Sequence, residues 1–282
     1  MKILVTGANG FIGKRVCELL EEKKIGYCSG TRECFQMDNI ESMRKFLIEN
    51  SITNIIHLAA RANSSDEKEL FDSNIVGLYK LLQALSGTSV RNITFASGNN
   101  VYGELHDKNI DEEALCIPAE ENIYGLSKYV GELLITDMLK KTDISFSILR
   151  IADVYGPGQK YGNLIKALVR AVAQHDVIKL YGEGKRIRDY IYIDDVAEGL
   201  IHASINELNG VYNLSTGVGT SVKELVNIGI ELSEGKSSVE KFELDSEDDS
   251  RIVLNPFKIS NTGYKANITV KEGLRRCVEE YK

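Results

Sequence analysis

The stretch TGANGFIG at residues 6–13 decides the fold of this chain. It joins an apolar segment of strand length, residues 2–7, to residues 11–22, where apolar side chains recur at helical spacing. The sequence therefore predicts a strand, a tight glycine turn and a helix at the start of the chain.

Three glycines in this turn predict a binding site for the pyrophosphate of a dinucleotide. Gly7 permits the tight turn, Gly10 lets the backbone approach the phosphates, and Gly13 lets helix and strand pack closely. The helix begins with Phe11 and Ile12, and its amino end offers free N–H groups and a partial positive charge to the phosphates.

The rest of the amino-terminal half repeats the alternation of strand and helix. A strand before each helix is typical of a parallel sheet with right-handed crossovers and helices on both faces. We therefore expect an α/β fold, a Rossmann doubly wound parallel sheet with a smaller carboxy-terminal substrate-binding lobe. The predicted strands are residues 25–31, 54–60, 92–97 and 144–151, and the predicted helices are residues 40–50, 72–86 and 123–140.

The regular alternation of strand and helix ends after about Gly156, and short helices, a glycine-rich turn and isolated strands follow. We assign residues 1–158 to the dinucleotide-binding Rossmann domain, with residues 188–205 returning to it, and residues 159–282 to the smaller lobe. The polar, acidic segment 236–250 is expected to be a mobile loop followed by a surface strand. The lobe would lie over the carboxyl ends of the strands and close a cleft.

Composition limits the partners and the location. The net charge of −7 gives no electrostatic reason to expect nucleic acid or an anionic membrane as partner. Five cysteines without a Cys-x-x-Cys pair predict reduced thiols, no metal site and a cytoplasmic protein. No apolar run is long enough to span a bilayer, and the amino terminus has no charged-then-apolar signal.

The residues after the second strand bear on which dinucleotide is bound. An Asp or Glu at this place binds the ribose 2′-OH of NAD, whereas an arginine can hold the 2′-phosphate of NADP. The sequence SGTRE places Arg32 there, which favours NADP(H) over NAD(H), although Glu33 could reach the ribose. Asp38 is expected to cap the following helix, with Glu41 completing a capping box, and to contact the adenine.

Tyr124 and Lys128 are four residues apart in the predicted helix 123–140 and therefore lie on one face of it. A tyrosine has an ordinary pKa of about 10 and is a weak acid or base at neutral pH. A lysine cation beside it, together with the charge of an oxidised nicotinamide, favours the phenolate. The lysine can also hold the nicotinamide ribose, so the pair predicts an acid/base centre next to a bound dinucleotide.

With these motifs the chain resembles the extended short-chain dehydrogenase/reductase family, in its branch of nucleotide-sugar epimerases, dehydratases and reductases. The resemblance runs almost from end to end and is specific for the branch, although not for one reaction within it. The motifs that carry it are TGANGFIG (6–13), NIIHLAA (54–60), VYG (101–103), YGLSK (124–128), LRIADVYGPGQ (149–159), LYGEGKRIRDYIYIDDVAEGL (180–200) and GVYNLSTG (210–217).

The resemblance implies a substrate and a set of roles. The substrate would be a nucleotide-diphosphate sugar, and the protein would be a homodimer. Tyr124 would be the acid/base at the sugar hydroxyl or ketone, and Lys128 would orient the cofactor ribose and lower the pKa of Tyr124. By the same resemblance the cofactor contacts include Leu58, Ala59 and Ala60, and the residues that bind the substrate diphosphate are Asn163, Arg188 and Arg251.

One position departs from the family pattern. The family has Ser or Thr three residues before the valine of VYG, hydrogen-bonded to the reacting sugar oxygen, and this chain has Gly98. The candidates for that contact are Ser97 and Asn99, and Asn99 is favoured because Ser97 should point to the other side of the strand. Asn99 and Asn100 stand where 4,6-dehydratases carry an acid/base pair, so the dehydratase reaction is disfavoured.

Three functions remain open at this point. The first is a 4-ketoreductase, in which NADPH reduces a nucleotide-bound 4-keto-6-deoxysugar; Arg32 and the missing dehydratase pair favour it. The second is an NAD-dependent 4-epimerase, and the third is a non-catalytic dinucleotide-binding sensor. His57 is interpreted as a core residue, and Asp194 and Asp195 are interpreted as helix-capping and structural.

Overall fold

The fold was analysed in a computed structural model of the 282-residue chain. The structure describes residues 1–31, 33–62, 66–103, 107–120, 122–159 and 163–281, with the backbone alone at 107, 108 and 163.

A six-stranded parallel sheet forms the larger layer, in the order β10-β6-β4-β3-β1-β2. This confirms the predicted α/β class and Rossmann topology, although the sixth strand, β10, was not predicted. The strands are β1 (Ile3–Thr6), β2 (Tyr27–Gly30), β3 (Asn54–His57), β4 (Asn92–Gly98), β5 (Asp107–Ile110), β6 (Ser145–Ile151), β7 (Asp153–Tyr155), β8 (Ile178–Tyr181), β9 (Ile187–Tyr192), β10 (Gly210–Leu214), β11 (Gly219–Ser221), β12 (Val239–Phe242) and β13 (Arg251–Leu254).

Helices cover both faces of this sheet, and each face has its own apolar core. One core includes Val16 of α1 and Leu200 of α7, and the other includes Leu47 of α2, Leu81 of α4 and Ile135 of α5. Both faces of the sheet are therefore shielded from water, which is typical of parallel sheets. The helices are α1 (Phe11–Glu22), α2 (Ile40–Glu49), α3 (Glu67–Phe71), α4 (Gly77–Ala84), α5 (Ile123–Leu139), α6 (Asn163–Gln174), α7 (Ile193–Ile205), α8 (Val222–Leu232), α9 (Phe257–Ser260) and α10 (Val270–Tyr281).

The smaller lobe is built on a mixed sheet in the order β11-β9-β13-β5, with β7 paired to β9. The segment 236–250, expected to be a mobile loop followed by a surface strand, contains β12, which pairs with β8 in parallel. Helix α7 and strand β10 belong to the first sheet layer, so the chain returns there after β9. The division of the chain at residue 158 stays a prediction.

Two local predictions in the first layer are wrong in detail. Asn39, and not Asp38, caps α2: its side chain accepts a hydrogen bond from Ser42 N at 2.9 Å. The predicted helix 72–86 begins earlier, with α3, and contains a π-helical turn at Asp72–Val76 before α4. The π-turn places Asn74, a buried polar residue, on the inner face of the helix.

Candidate active site

The turn between β1 and α1 forms a cradle that only glycine can build. A Cβ atom at Gly13 would lie 2.2 Å from the carbonyl oxygen of Gly7, and one at Gly7 would lie 2.8 Å from Ala59 N. Gly7 also has a φ of +70°, which side chains rarely adopt. Helix α1 has no side-chain cap at Gly10 within the described residues, so its first N–H groups remain available to phosphate oxygens. The cradle therefore fits a dinucleotide pyrophosphate.

A cleft of about 980 Å³ opens above this cradle. Phe11 and Ile12, predicted to contact cofactor, open α1 and pack against the apolar core of the smaller lobe. Arg32 lies outside the described residues, but its neighbour Glu33 lines the cleft. The predicted cofactor residues found on the wall of the cleft are Gly7, Gly10, Asp38, Leu58, Ala59 and Ala60.

Helix α5 approaches the carboxyl end of β4 closely because it carries glycines on its inner face. A Cβ at Gly125 would lie 2.9 Å from Asn100 O, and one at Gly131 would lie 2.9 Å from the ring of Phe95. Asn122 caps the helix by accepting a hydrogen bond from Gly125 N at 2.9 Å. This packing brings Tyr124, in the first turn of α5, next to the turn that follows β4.

Lys128 is a buried cation that faces the end of β4. Only 4% of the residue is exposed, and its Nζ donates a 2.7 Å hydrogen bond to Ala96 O. Nζ also lies 5.6 Å from the centre of the Tyr124 ring. Burial lowers the pKa of Lys128 to about 8, against the opposing attraction of Glu132.

Burial raises the pKa of Tyr124 to about 12. In the protein without a bound cofactor, burial therefore has a larger effect on the pKa of Tyr124 than the expected lowering by Lys128. A nearby positive charge would have to outweigh desolvation before the phenolate forms at neutral pH.

Ser97 and Asn99 point to different surroundings, because β4 ends at Gly98 and Asn99 begins a short 3₁₀ helix. The Ser97 hydroxyl is buried and donates a 2.5 Å hydrogen bond to Glu132 Oε1, so it faces the interior and not a substrate. The Asn99 amide donates a 2.8 Å hydrogen bond to Asp153 Oδ1. Among the described residues, Asn99 therefore keeps one amide hydrogen for another acceptor.

A buried polar network lies beneath the Tyr124–Lys128 pair and could not be recognised from the sequence. Glu132, one helical turn beyond Lys128, forms an ion pair with Arg150 of β6 at 2.7 Å, and both side chains are less than 10% exposed. Arg150 donates a further hydrogen bond to the Tyr102 hydroxyl at 3.0 Å, and that hydroxyl donates to Asn213 Oδ1 at 2.8 Å. The network joins α5 to β6 and β10 and fixes the helix that carries the acid/base pair.

Asn74 is a second positioning residue that the sequence did not reveal. From the π-turn its Oδ1 accepts a hydrogen bond from Arg61 N at 2.8 Å, and its Nδ2 donates to Ser127 Oγ at 3.0 Å. Ser127 in turn donates to Tyr124 O at 2.8 Å. Asn74 thus connects the loop after β3, on the cleft wall, to the first turn of α5.

The predicted diphosphate ligands lie on neighbouring strands of the smaller lobe. Arg188 of β9 stands opposite Ile252 of β13, the residue after Arg251. The Arg188 guanidinium donates to Ser250 O at 3.0 Å and to Ser250 Oγ at 2.8 Å. Among the described residues, the buried Nε atoms of Arg251 and of Arg186 have no hydrogen-bond partner. Arg186 was not among the predicted diphosphate ligands, although it belongs to the same basic stretch as Arg188, KRIRD at residues 185–189.

Asn163 and the residues interpreted as structural complete the predicted set. Asn163 opens α6, and its side chain lies outside the described part of the chain. His57 is buried, its Nδ1 is 2.8 Å from Thr6 Oγ1, and burial lowers its pKa to about 3. Asp195 accepts backbone hydrogen bonds from residues 267 and 268, and Asp194 pairs with Arg15 at 2.7 Å.

The described residues contain no group of three His, Cys, Asp or Glu side chains placed to hold a metal ion. None of the described helices has the length and apolar character needed to cross a membrane.

Comparisons with known proteins place this geometry in a family. Over 299 aligned residues the chain is 31% identical to a protein of Methanocaldococcus jannaschii named "Putative UDP-glucose 4-epimerase", covering 98% of this chain and 97% of the relative. The crystal structure of UDP-glucose 4-epimerase from Thermotoga maritima with UDP-glucose matches at a TM-score of 0.85 and 26% identity, over 100% of this chain and 98% of that one. RMD from Pseudomonas aeruginosa, complexed with NADPH, shares the fold at a TM-score of 0.86 and 23% identity, over 99% and 98% of the two chains.

Residues 3–215 match the NAD dependent epimerase/dehydratase family. The match covers the glycine cradle, the cleft, the Tyr124–Lys128 pair and Arg188 of β9, and it ends just after β10. The chain therefore belongs to the NAD dependent epimerase/dehydratase family of nucleotide-sugar enzymes.

Proposed function

We propose that the protein is a nucleotide-sugar 4-epimerase that works with retained NAD. The observation that carries this proposal is the placement of Tyr124 and Lys128 at the carboxyl end of β4, beside a cleft that opens on a glycine cradle for a dinucleotide. The sequence alone favoured the ketoreductase because of Arg32. The relatives named as UDP-sugar 4-epimerases favour the epimerase instead.

The chemistry divides between the cofactor and this pair. A bound NAD would supply the hydride acceptor for the sugar C4 and, once the keto sugar has turned its other face to the cofactor, the hydride donor. Tyr124 takes the proton from the C4 hydroxyl as the hydride leaves, and gives it back when the alcohol re-forms. Lys128 favours the phenolate and holds the ribose; its position under Tyr124 is fixed by the hydrogen bond to Ala96 O.

Glu33 supports NAD as the cofactor. Its side chain lines the cleft just after β2, where a carboxylate can accept hydrogen bonds from the ribose 2′-OH and would repel a 2′-phosphate. The structure of Thermus thermophilus UDP-glucose 4-epimerase in complex with NAD, 26% identical to this chain with a TM-score of 0.84, agrees with this choice. The expectation of NADP(H) rested on Arg32, which lies outside the described residues.

The arginines of the smaller lobe support a nucleotide-diphosphate substrate. Among the described residues, three of the five N–H groups of Arg188 donate to Ile187 O and to Ser250, and a carboxylate oxygen of Asp248 lies 4.0 Å from its Nη2. The guanidinium therefore has further N–H groups that can turn to a phosphate. Arg251 adds a buried guanidinium nitrogen without a partner among the described residues. Planar guanidinium groups suit phosphate oxygens, and we propose that Asn163 joins them at the amino end of α6.

The 4-ketoreductase remains as a second candidate because of one observation. β2 ends at Gly30 and is followed by Thr31, so no acidic side chain stands at the strand end itself, and both residues line the cleft. At the strand end itself a 2′-phosphate would therefore meet no carboxylate. This enzyme would consume NADPH with a nucleotide-bound 4-keto sugar.

The deciding experiment incubates the purified protein with UDP-glucose without added cofactor. We expect conversion to UDP-galactose, followed by proton NMR, and NAD as the nucleotide found by mass spectrometry after denaturation. Tyr124→Phe should abolish conversion, whereas Tyr79→Phe, a change at a tyrosine that is 43% exposed, should not affect it. Turnover only with NADPH and a 4-keto sugar would favour the reductase, and dinucleotide binding without any turnover would favour the sensor.

We also propose that two copies pair through α5. Leu126 and Leu133 are 50% and 52% exposed and lie seven residues apart, so they share one face of the helix. Their burial against a second copy would remove this apolar surface from water. Sedimentation of Leu133→Glu beside Leu244→Glu, a change at an equally exposed leucine outside α5, tests the pairing: only the first should yield a monomer.

A further inference from the structure

We infer that Asp153 reads the hexose of the substrate and excludes sugars that carry a carboxylate. This inference rests on the proposed function and names its substrate class: nucleotide-bound hexoses whose substituents near Asp153 are neutral hydroxyls or other hydrogen-bond donors. The inference rests on the position of Asp153, which lies between the proposed acid/base centre and the arginines proposed to bind the diphosphate.

One side of Asp153 faces the acid/base centre. Its Oδ1 accepts the 2.8 Å hydrogen bond from Asn99, which begins the short helix Asn99–Tyr102 after β4. The next residue, Asn100, has its carbonyl oxygen 2.9 Å from where a Cβ of Gly125 would be. Gly125 follows Tyr124, so Asn99, the hydrogen-bond partner of Asp153, belongs to the turn against which the first turn of α5 packs.

The other side of Asp153 faces the diphosphate arginines. Asp153 pairs with Tyr190 in the β7–β9 ladder, two residues after Arg188. Both Arg188 and Arg186 are close enough to lower the pKa of the Asp153 carboxyl, although burial has the larger, opposite effect. A sugar whose diphosphate lies on the arginines and whose C4 reaches Tyr124 must therefore pass Asp153.

Asp153 keeps hydrogen-bonding capacity for that sugar. Within the described part of the chain its Oδ2 makes no hydrogen bond, in contrast with Asp189, whose two oxygens accept from Thr216 and from Gly217 N. An ionised carboxylate accepts hydrogen bonds from sugar hydroxyls and repels another carboxylate. Turning the side chain away to relieve the repulsion would break its hydrogen bond with Asn99.

The test compares kcat/KM for UDP-glucose and UDP-glucuronate in the wild-type protein and in Asp153→Asn. We expect the wild-type protein to prefer UDP-glucose by about 100-fold or more, and the variant to reduce this preference at least ~10-fold. Asp176→Asn, a change at an exposed aspartate away from the cleft, should keep the wild-type ratio. Equal use of both sugars by the wild-type protein, or an unchanged ratio in Asp153→Asn, would overturn the inference.

Two further measurements keep the outcomes separate. If the wild-type protein turns over neither sugar, the proposed function fails. Calorimetric binding of the two nucleotide sugars then tests the role of Asp153 by itself. Weaker binding of UDP-glucuronate than of UDP-glucose supports the inference, and equal binding refutes it. If Asp153→Asn does not fold, as judged by thermal unfolding, inhibition of the wild-type enzyme by UDP-glucuronate replaces it. Inhibition at concentrations similar to the KM for UDP-glucose would then overturn the inference.

Discussion

Replacing Lys128 by methionine is expected to abolish activity and to stabilise the ligand-stripped protein. Burial lowers the pKa of Lys128 from 10.5 to about 8, which corresponds to a penalty of about 3 kcal/mol for holding the cation in the folded state. The variant loses the 2.7 Å hydrogen bond to Ala96 O, at a cost of about 1 kcal/mol. The net gain is about 2 kcal/mol at pH 7, or roughly 5 °C in Tm.

The pH dependence of this gain identifies its cause. Below pH 8 Lys128 is charged in both states, and the whole penalty is present. Between pH 8 and 10.5 the folded protein has released the proton that the unfolded chain still holds, so the wild-type protein becomes more stable relative to the variant as the pH rises. The advantage of Lys128→Met should therefore shrink by about 2 kcal/mol between pH 7 and pH 9.5.

Urea unfolding followed by circular dichroism at several pH values measures both quantities. Lys45→Met is the matched control, because Lys45 is 73% exposed in its 3.7 Å pair with Glu49 on α2 and should show neither the gain nor the pH trend. The reasoning is refuted if Lys128→Met is less stable than the wild-type protein at pH 7, or if its advantage does not change with pH.

Three other outcomes follow from the same structure. Tyr124→Phe should lower turnover by ~10²–10⁴-fold while the bound dinucleotide, measured by mass spectrometry, stays at the wild-type level. Gly13→Ala should prevent nucleotide retention, because its Cβ would lie 2.2 Å from Gly7 O; retained nucleotide would contradict the proposed cradle. Glu132→Gln should destabilise the protein by about 3–5 kcal/mol, because Arg150 is left buried without its counter-charge. A Tm within 2 °C of the wild-type value, which corresponds to about 1 kcal/mol or less, would contradict this.

The first layer of the fold could be predicted from sequence because its signals are local. The predicted bounds of α1, Phe11–Glu22, agree with the structure, since apolar spacing and the glycine turn define both ends. The π-turn at Asp72–Val76 could not be predicted, because its residues also suit an ordinary helix and the inserted residue is stabilised by contacts of Asn74 with Arg61 and Ser127.

Strand β10 and the pairing of the strand within residues 236–250 were not predicted, for a related reason. β10 (Gly210–Leu214) completes the first sheet only because β6 lies beside it, more than fifty residues earlier in the chain. β12, inside the acidic segment, has exposed side chains and exists through its pairing with β8. Neither segment has a periodicity of its own that identifies its partner.

The sequence by itself determined the α/β class, the dinucleotide cradle, the Tyr124–Lys128 pair and the family resemblance, because each depends on residues within a few positions of one another. The tertiary structure decided how the groups of the site are used. It directed Ser97 inward to Glu132, joined Asn99 to Asp153, and gave Tyr124 a pKa raised by burial. Hydrogen bonds and desolvation depend on which side chains meet across the sheet, and that is set by strand order and packing over long separations in the chain.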